Sequence, residues 1–228
     1  ATYNFDLLEW TGLSVSEIKG VIANAMDAFN GSGRLCFAFS NHDVPRSASR
    51  QLSPLGITLD KQDDLQLLLL QLETSLIGSS CIYQGEELGL SDVTNIQFDK
   101  MKDPWGLNFY PEFLGRDTCR TPMVWEKNKP MGGFTLANEA WLPISELHME
   151  KAGLDMAKSE GSIYNKFSSF LKWRRKQPAM ISSNKMSELS GGPSEIIFDR
   201  ESETQILRCK FDFELVKATF EEVTNGTS

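Results

Sequence analysis

Apolar residues recur at two different periods along this chain. From Val15 to Phe29, Val15, Ile18, Val21, Ile22, Ala25, Met26 and Phe29 return at steps of three and four, which predicts a helix with one buried face. Ser14 supplies an N-cap, Glu17 completes a capping box, and Asn30-Gly-Ser-Gly33 offers glycines for the helix exit. The run Leu35-Cys-Phe-Ala-Phe39 is apolar on both alternating faces and predicts a central strand covered on both sides. With a strand expected over Tyr3 to Leu8, these segments make a β-α-β unit. The plan then repeats. Residues 48–58, with Pro54 and Gly56, read as a loop. A helix begins near Asp60, with Leu65, Leu68, Leu69, Leu72 and Leu76 facing inward and Leu67 and Leu70 widening that face. Gly78 allows the turn into a second short apolar strand.

From Leu90 to about Gly161 neither period persists. Turn chemistry at Asp103-Pro-Trp-Gly106 and Gly115-Arg-Asp117 marks a long loop, with Trp105, Phe109, Tyr110, Phe113, Trp125 and Trp141 available to bury it. Ser162 to Gln177 is helical again and stops at Pro178. Beyond Ile181 the period changes to two, through 195–198, 204–211 and 215–220, which predicts a small antiparallel β module. The expected organisation is an α/β unit over 1–180 followed by a β unit over 181–228.

Composition narrows the function. A formal net charge of -8 offers no field for nucleic acid or anionic lipid, so both are excluded as expected partners. No apolar run approaches the roughly 18 residues that span a bilayer. Cys36, Cys81, Cys119 and Cys209 lie far apart without metal or redox spacing. Free thiols in a reducing, cytoplasmic setting are expected, with disulfides as the alternative.

Candidate chemistry sits where the apolar runs stop. The first strand ends on Asn41, His42 and Asp43, and in parallel α/β folds ligands bind outside the carboxyl ends of strands. The same three residues also fit a plain turn with an Asx cap. Ile82-Tyr-Gln-Gly-Glu-Glu-Leu-Gly89 carries Glu86 and Glu87 at the second strand's end, either as an acid/base couple or as structural hydrogen-bonders. Adjacent strand residues face opposite ways, which favours the structural role. Gly115-Arg-Asp-Thr-Cys-Arg-Thr-Pro-Met-Val-Trp125 brings Arg116, Asp117 and Arg120 together as an ion-pair network fixing the loop, or as contacts to a ligand at an acceptor site. His148 has no partner pattern and is expected to face solvent.

Together, Phe39-Ser-Asn-His-Asp-Val-Pro-Arg46 and the latter two stretches resemble the α-amylase family of glycoside hydrolases, most closely its α-glucosidase and oligo-1,6-glucosidase branch. They match its strand-7 motif, its strand-8 motif and the loop after strand 8, in family order, within a similarity over roughly residues 1 to 180. The resemblance implies the C-terminal three βα units of a (β/α)8 TIM barrel, beginning with the sixth strand at Tyr3 to Leu8, which brings Asp6 toward the ligand side, followed by a small antiparallel β domain. It implies a retaining α-glucosidase acting on α-glucoside oligosaccharides without cofactor or metal. Asp43 would be the transition-state stabiliser, and His42, Asp43 and Arg46 would bind the sugar. Arg46 would orient the sugar or hold Asp43 ionised, and Asn41 would be a structural hydrogen-bonder. The family's nucleophilic aspartate and acid/base glutamate follow strands 4 and 5, and neither motif occurs here. The chain is therefore expected to lack the N-terminal barrel portion needed for activity and to be inactive alone. A non-catalytic relative serving as a sugar-binding or protein-interaction module is the alternative.

Overall fold

The structure, a computed structural model, describes residues 2–29 and 34–224. The helix exit expected at 30–33 lies outside the described residues. Strands β1 (Thr2–Tyr3), β2 (Leu35–Phe37) and β3 (Ser79–Ser80) form a parallel sheet in that order. Helix α1 (Val15–Phe29) joins the first pair; the single turn α2 (Ser47–Arg50) and helix α3 (Gln62–Ser75) join the second.

These strands are shorter than their apolar runs, for local reasons. Asn4 Oδ1 accepts the Asp6 N–H at 2.9 Å, which diverts Asp6–Leu8 from the expected strand into a 3-10 turn and leaves Asp6 exposed. Past β2, the Phe39 N–H donates to Glu73 Oε2 on α3 at 3.3 Å instead of to a neighbouring strand, while Ala38 and Phe39 stay buried. The loop expected over 48–58 begins instead with α2, whose Ser47, Ala48 and Arg50 are buried.

The capping box forms as the sequence predicts: Ser14 N–H donates to Glu17 Oε2 at 2.7 Å, and Glu17 N–H to Ser14 Oγ at 3.3 Å. Val15, Ile18, Ile22 and Ala25 are the buried face of α1, and Leu65, Leu68, Leu69, Leu70 and Leu72 are buried on α3. Each such large side chain contributes about 1.5–3 kcal/mol of burial. Gly78, at φ +104°, lets the chain pass β2, because a Cβ there would stand 2.6 Å from the Leu35 carbonyl oxygen.

The long loop is built from short pieces: α4 (Pro104–Phe109), α5 (Glu146–Met149), α6 (Gly153–Lys158) and several 3-10 turns. Val93, Ile96 and Met101 form its buried cluster, with Leu114 against them. The aromatic residues do not bury it as expected; Trp105, Phe109, Tyr110, Trp125 and Trp141 remain substantially exposed. Helix α7 (Ile163–Arg174) is capped by Ser162 Oγ, which accepts the Asn165 N–H. Pro178 opens a further turn, α8 (Pro178–Ile181), where its missing N–H costs nothing.

Strands β4 (Lys185–Met186), β5 (Glu195–Glu201), β6 (Ile206–Asp212) and β7 (Lys217–Glu222) form an antiparallel sheet in chain order. Its inner residues Ile196, Phe198, Leu207, Cys209 and Phe211 share one apolar cluster with Ile18, Ile22, Leu65, Leu69 and Met180. The expected boundary at 180/181 therefore falls inside α8 and inside a common core. Arg200 is buried on this face and donates to the carbonyls of Ser75 (2.6 Å), Leu76 (3.1 Å) and Ser183 (2.8 Å). It thereby satisfies orphan acceptors at the end of α3. Burial lowers its pKa to about 10, which leaves it cationic at neutral pH.

Candidate functional site

Because the three strands are parallel, the segments leaving β2 and β3 emerge at the same edge. After β2, Asn41 Oδ1 accepts the Asp43 N–H at 2.8 Å, the structural role expected of it, and this turn presents His42 and Asp43 outward. Their side chains are 68% and 48% exposed, with His42 Nε2 3.4 Å from Asp43 Oδ2. The other oxygen, Oδ1, accepts from Arg116 Nη1 at 3.3 Å and from Arg120 Nη2 at 2.8 Å. Arg120 Nε also donates to the His42 carbonyl at 2.6 Å, so the long loop clamps the Asn-His-Asp turn from both sides.

Arg116 is in turn held by Asp103. Asp103 Oδ2 accepts from the Arg116 backbone N–H (2.6 Å) and Nε (3.1 Å), and Oδ1 from Nη2 (2.7 Å). This fork holds the buried Asp103 carboxyl at a pKa of about 2 and raises that of Arg116. Asp117, read from the sequence as an ion-pair partner, is instead a buried acceptor for backbone: its Oδ2 takes the N–H groups of Lys102 (2.6 Å) and Asp103 (2.9 Å). It staples the loop to itself, while the arginines bridge the loop to Asp43.

Arg46 does not occupy the place the sequence suggested. Its side chain is 1% exposed, too buried to touch a sugar, and makes no hydrogen bond to Asp43. It donates to the carbonyls of Gln84 (2.6 Å) and Cys119 (3.1 Å) and packs over the Tyr83 ring at 5.1 Å. Arg46 thus braces the β2 exit, the β3 exit and the long loop against one another.

Glu86 and Glu87 are not a strand-end pair; they open a 3-10 turn after Gly85, which has φ +89°. Glu86 is buried, accepting the Tyr83 N–H at 2.8 Å and lying 2.8 Å from Ser47 Oγ. Glu87 is half-buried and accepts the Gly85 N–H at 2.9 Å. Burial pushes both carboxyl groups up. A further buried carboxyl, Glu73 on α3, rises well above the ordinary range through burial and the nearby charge of Glu86. Glu73 escaped the sequence reading although a signal was present: it follows Leu65 and Leu69 at steps of four and so falls on the inner face. Asp103 was read only as turn chemistry, and nothing in its spacing points to Arg116. Among the described residues no group of three or more His, Cys, Asp or Glu side chains is arranged to hold a metal ion.

His148 also departs from expectation. It is 1% exposed, with Nε2 2.9 Å from the Ser91 carbonyl oxygen, and burial lowers its pKa to about 4. A depressed histidine contributes stability that is fully present above pH 6.5 and is lost as pH falls through about 4. Glu73 and Glu86, with raised values, slope the opposite way. The contribution is therefore read as a difference: between pH 7 and pH 4, wild type should lose about 2–3 kcal/mol relative to His148→Gln in urea unfolding. A constant difference across that window would contradict the assignment.

The Alpha amylase, catalytic domain, family model matches residues 3–183. The chain is 40% identical over 178 residues to a probable alpha-glucosidase of Rhizobium meliloti, covering 78% of this chain and 31% of that protein. It is 30% identical over 180 residues to Maltase A1 of Drosophila melanogaster, covering 76% and 29%. The chain thus spans less than a third of either relative. Among solved structures, the alpha-glucosyl transfer enzyme XgtA superposes with a TM-score of 0.79 at 33% identity, over 92% of this chain and 37% of that one. The trehalose-6-phosphate hydrolase of Bacillus licheniformis, at 21% identity and a TM-score of 0.78, shares the fold. The parallel sheet with its helices and the four-stranded sheet correspond to part of a (β/α)8 barrel followed by a small β domain. Since the family match covers well over half the residues and contains the two strand-end stretches and the Gly115–Trp125 loop, the chain belongs to the α-amylase family.

Proposed function

We propose that this chain forms the sugar-gripping part of a retaining α-glucosidase that removes terminal α-linked glucose from short oligosaccharides. The observation that carries the reading is the asymmetry of Asp43. Two arginines donate to Oδ1, while Oδ2 of this half-exposed side chain takes neither of them and has only His42 Nε2 beside it, at 3.4 Å, so it can accept from a ligand. A sugar hydroxyl donates to Oδ2, and His42 is placed to bond the neighbouring hydroxyl. Such bonds strengthen as the ring flattens toward an oxocarbenium-like transition state, and the carboxylate offsets the positive charge that develops there. The names of the relatives, a probable alpha-glucosidase and a maltase, support the same substrate class.

Bond cleavage with retention needs two accessible carboxyl groups about 5–5.5 Å apart. Glu73 and Glu86 are each 1% exposed and engaged with backbone or serine, so neither serves. The family's nucleophile and acid/base motifs occur nowhere in these 228 residues, so on this reading both groups come from outside them. A glucose-release assay with maltose and isomaltose tests this. A longer protein carrying this chain after an aspartate and a glutamate motif is expected to turn over, and the 228 residues alone are expected to match buffer. Turnover by the 228 residues, abolished by Glu86→Gln or Glu87→Gln, would overturn the reading. Saturable glucose binding by both proteins, with hydrolysis by neither, would favour the non-catalytic module, the second reading that the missing motifs support.

A further inference from the structure

We propose that Asp103 is a positioning residue: acting through Arg116, it sets where the Asp43 carboxylate stands in the sugar site. The inference rests on the α-glucosidase reading for its consequence, and on the geometry of this chain for its mechanism.

Arginine is a long side chain, and ordering it costs on the order of 2 kcal/mol of rotamer freedom. Asp103 takes up that ordering before any ligand arrives. Three of the donors of Arg116, namely the backbone N–H, Nε and Nη2, are committed to one carboxylate whose side chain is fully buried. Since the guanidinium is planar and rigid, fixing two of its nitrogens fixes the third, and Nη1 is thereby aimed at Asp43 Oδ1. The Trp105 ring lies against one face of the guanidinium at 5.1 Å.

Asp103 cannot itself drift. Its backbone N–H is held by Asp117 Oδ2, so the two aspartates staple the loop reciprocally: each accepts from backbone next to the other. Gly115, at φ +65°, leaves no slack, since a Cβ there would stand 2.5 Å from Asp103 Oδ2 and 2.6 Å from the Gly106 nitrogen. At the far end of the relay, Arg116 and Arg120, at the two ends of the Asp117–Cys119 turn, both donate to Oδ1, and two donors fix the torsion of a carboxylate that one leaves free to turn. With Arg116 released, Asp43 pivots on Arg120 alone, and Oδ2 no longer holds one position against the sugar. Asp103 touches neither sugar nor Asp43; its effect travels through one side chain.

The test has two arms. The first uses the 228-residue chain and needs no sugar. NMR follows exchange of the Arg116 Nε–H proton and the chemical shift of the Asp43 side-chain carboxyl carbon in wild type, Asp103→Asn and Arg116→Lys. The expected result is Nε–H exchange about tenfold faster in Asp103→Asn, with the Asp43 signal displaced in both variants while the backbone spectrum outside the loop is unchanged. If Asp103→Asn fails to fold, Asp103→Glu decides, because it keeps the carboxylate and the Arg116 side chain but shifts the fork, and an unmoved Asp43 signal there counts against the proposal. The second arm uses the longer catalytic protein. Asp103→Asn should lower kcat about 100-fold with KM changed less than about threefold, and Asp103→Glu, which keeps the carboxylate, should recover part of the loss. An unmoved Asp43 signal with unchanged kcat, beside a lowered melting temperature, would overturn the proposal and make Asp103 a loop staple only. If the longer wild-type protein releases no glucose, the α-glucosidase reading fails, while the first arm still decides whether Asp103 positions Asp43.

Discussion

Replacing Asp43 by Asn in the longer catalytic protein should lower kcat/KM for maltose about 100- to 1000-fold while leaving the fold intact, as judged by circular dichroism. The reason lies in which atom the amide places where. Arg116 and Arg120 both donate to Oδ1, so the Asn carbonyl oxygen turns to meet them, and the amide nitrogen takes the place of Oδ2. That position then presents a donor where the sugar hydroxyl needs an acceptor. The negative charge that faces the developing oxocarbenium ion is removed as well. The double loss separates Asp43 from a residue that merely helps binding, since the charge interaction grows toward the transition state and lowers kcat as well as kcat/KM. A loss below about tenfold, with unchanged KM, would remove Asp43 from the machinery.

Arg46→Ala should be the most destabilising single change at the strand ends, by about 3–5 kcal/mol, and should lower the melting temperature of the chain by roughly 10 °C. Arg46 is among the largest fully buried side chains. Its removal leaves the carbonyls of Gln84 and Cys119 without their donor and takes away the support under Tyr83. It also deprives the buried Glu86 and the half-buried Asp92 of a nearby cation that favours their charged forms. Arg46→Lys should recover only part of the loss, because one ammonium on a flexible stem does not reproduce a planar fork reaching two carbonyls. Thermal melting followed by circular dichroism reads the effect. A shift under about 2 °C would contradict the bracing role and reopen Arg46 as a ligand contact.

The parts of the architecture that periodicity controls were legible in the sequence. The apolar stripe of α1, its capping box, the leucine face of α3 and the alternation in β5 and β6 each follow from which residues must leave water. Strand lengths were less legible. Tyr3 to Leu8 and Leu35 to Phe39 satisfy the pattern of buried strands, yet side chains from elsewhere take over the backbone groups. Asn4 ends the first and Glu73 intercepts Phe39 of the second.

At the site, the same division holds. The motif residues Asn41, His42 and Asp43 stand where a strand-end reading puts them, because the alternation stops there and the Asx turn is local. Their partners come from residues 73 and 77 positions away, and no local spacing encodes that contact. Arg46 was therefore read as the neighbour of Asp43, a contact that Arg116 and Arg120 make instead. His148 was read as solvent-facing because its partner, the Ser91 carbonyl, is a backbone atom invisible to any pattern of side chains.

On the proposed function, Asp43 Oδ2 and His42 receive the hydroxyls of a glucosyl unit while two arginines hold the opposite oxygen. The position of a bound sugar tests it most directly. A crystal structure of the longer protein, or of this chain, soaked with glucose should show hydroxyl oxygens at hydrogen-bond distance, about 2.5–3.2 Å, from Asp43 Oδ2 and His42 Nε2, with Arg116 and Arg120 still on Oδ1. Glucose seated away from the β2 exit, or an Asp43 turned so that the arginines take both oxygens, would contradict the account.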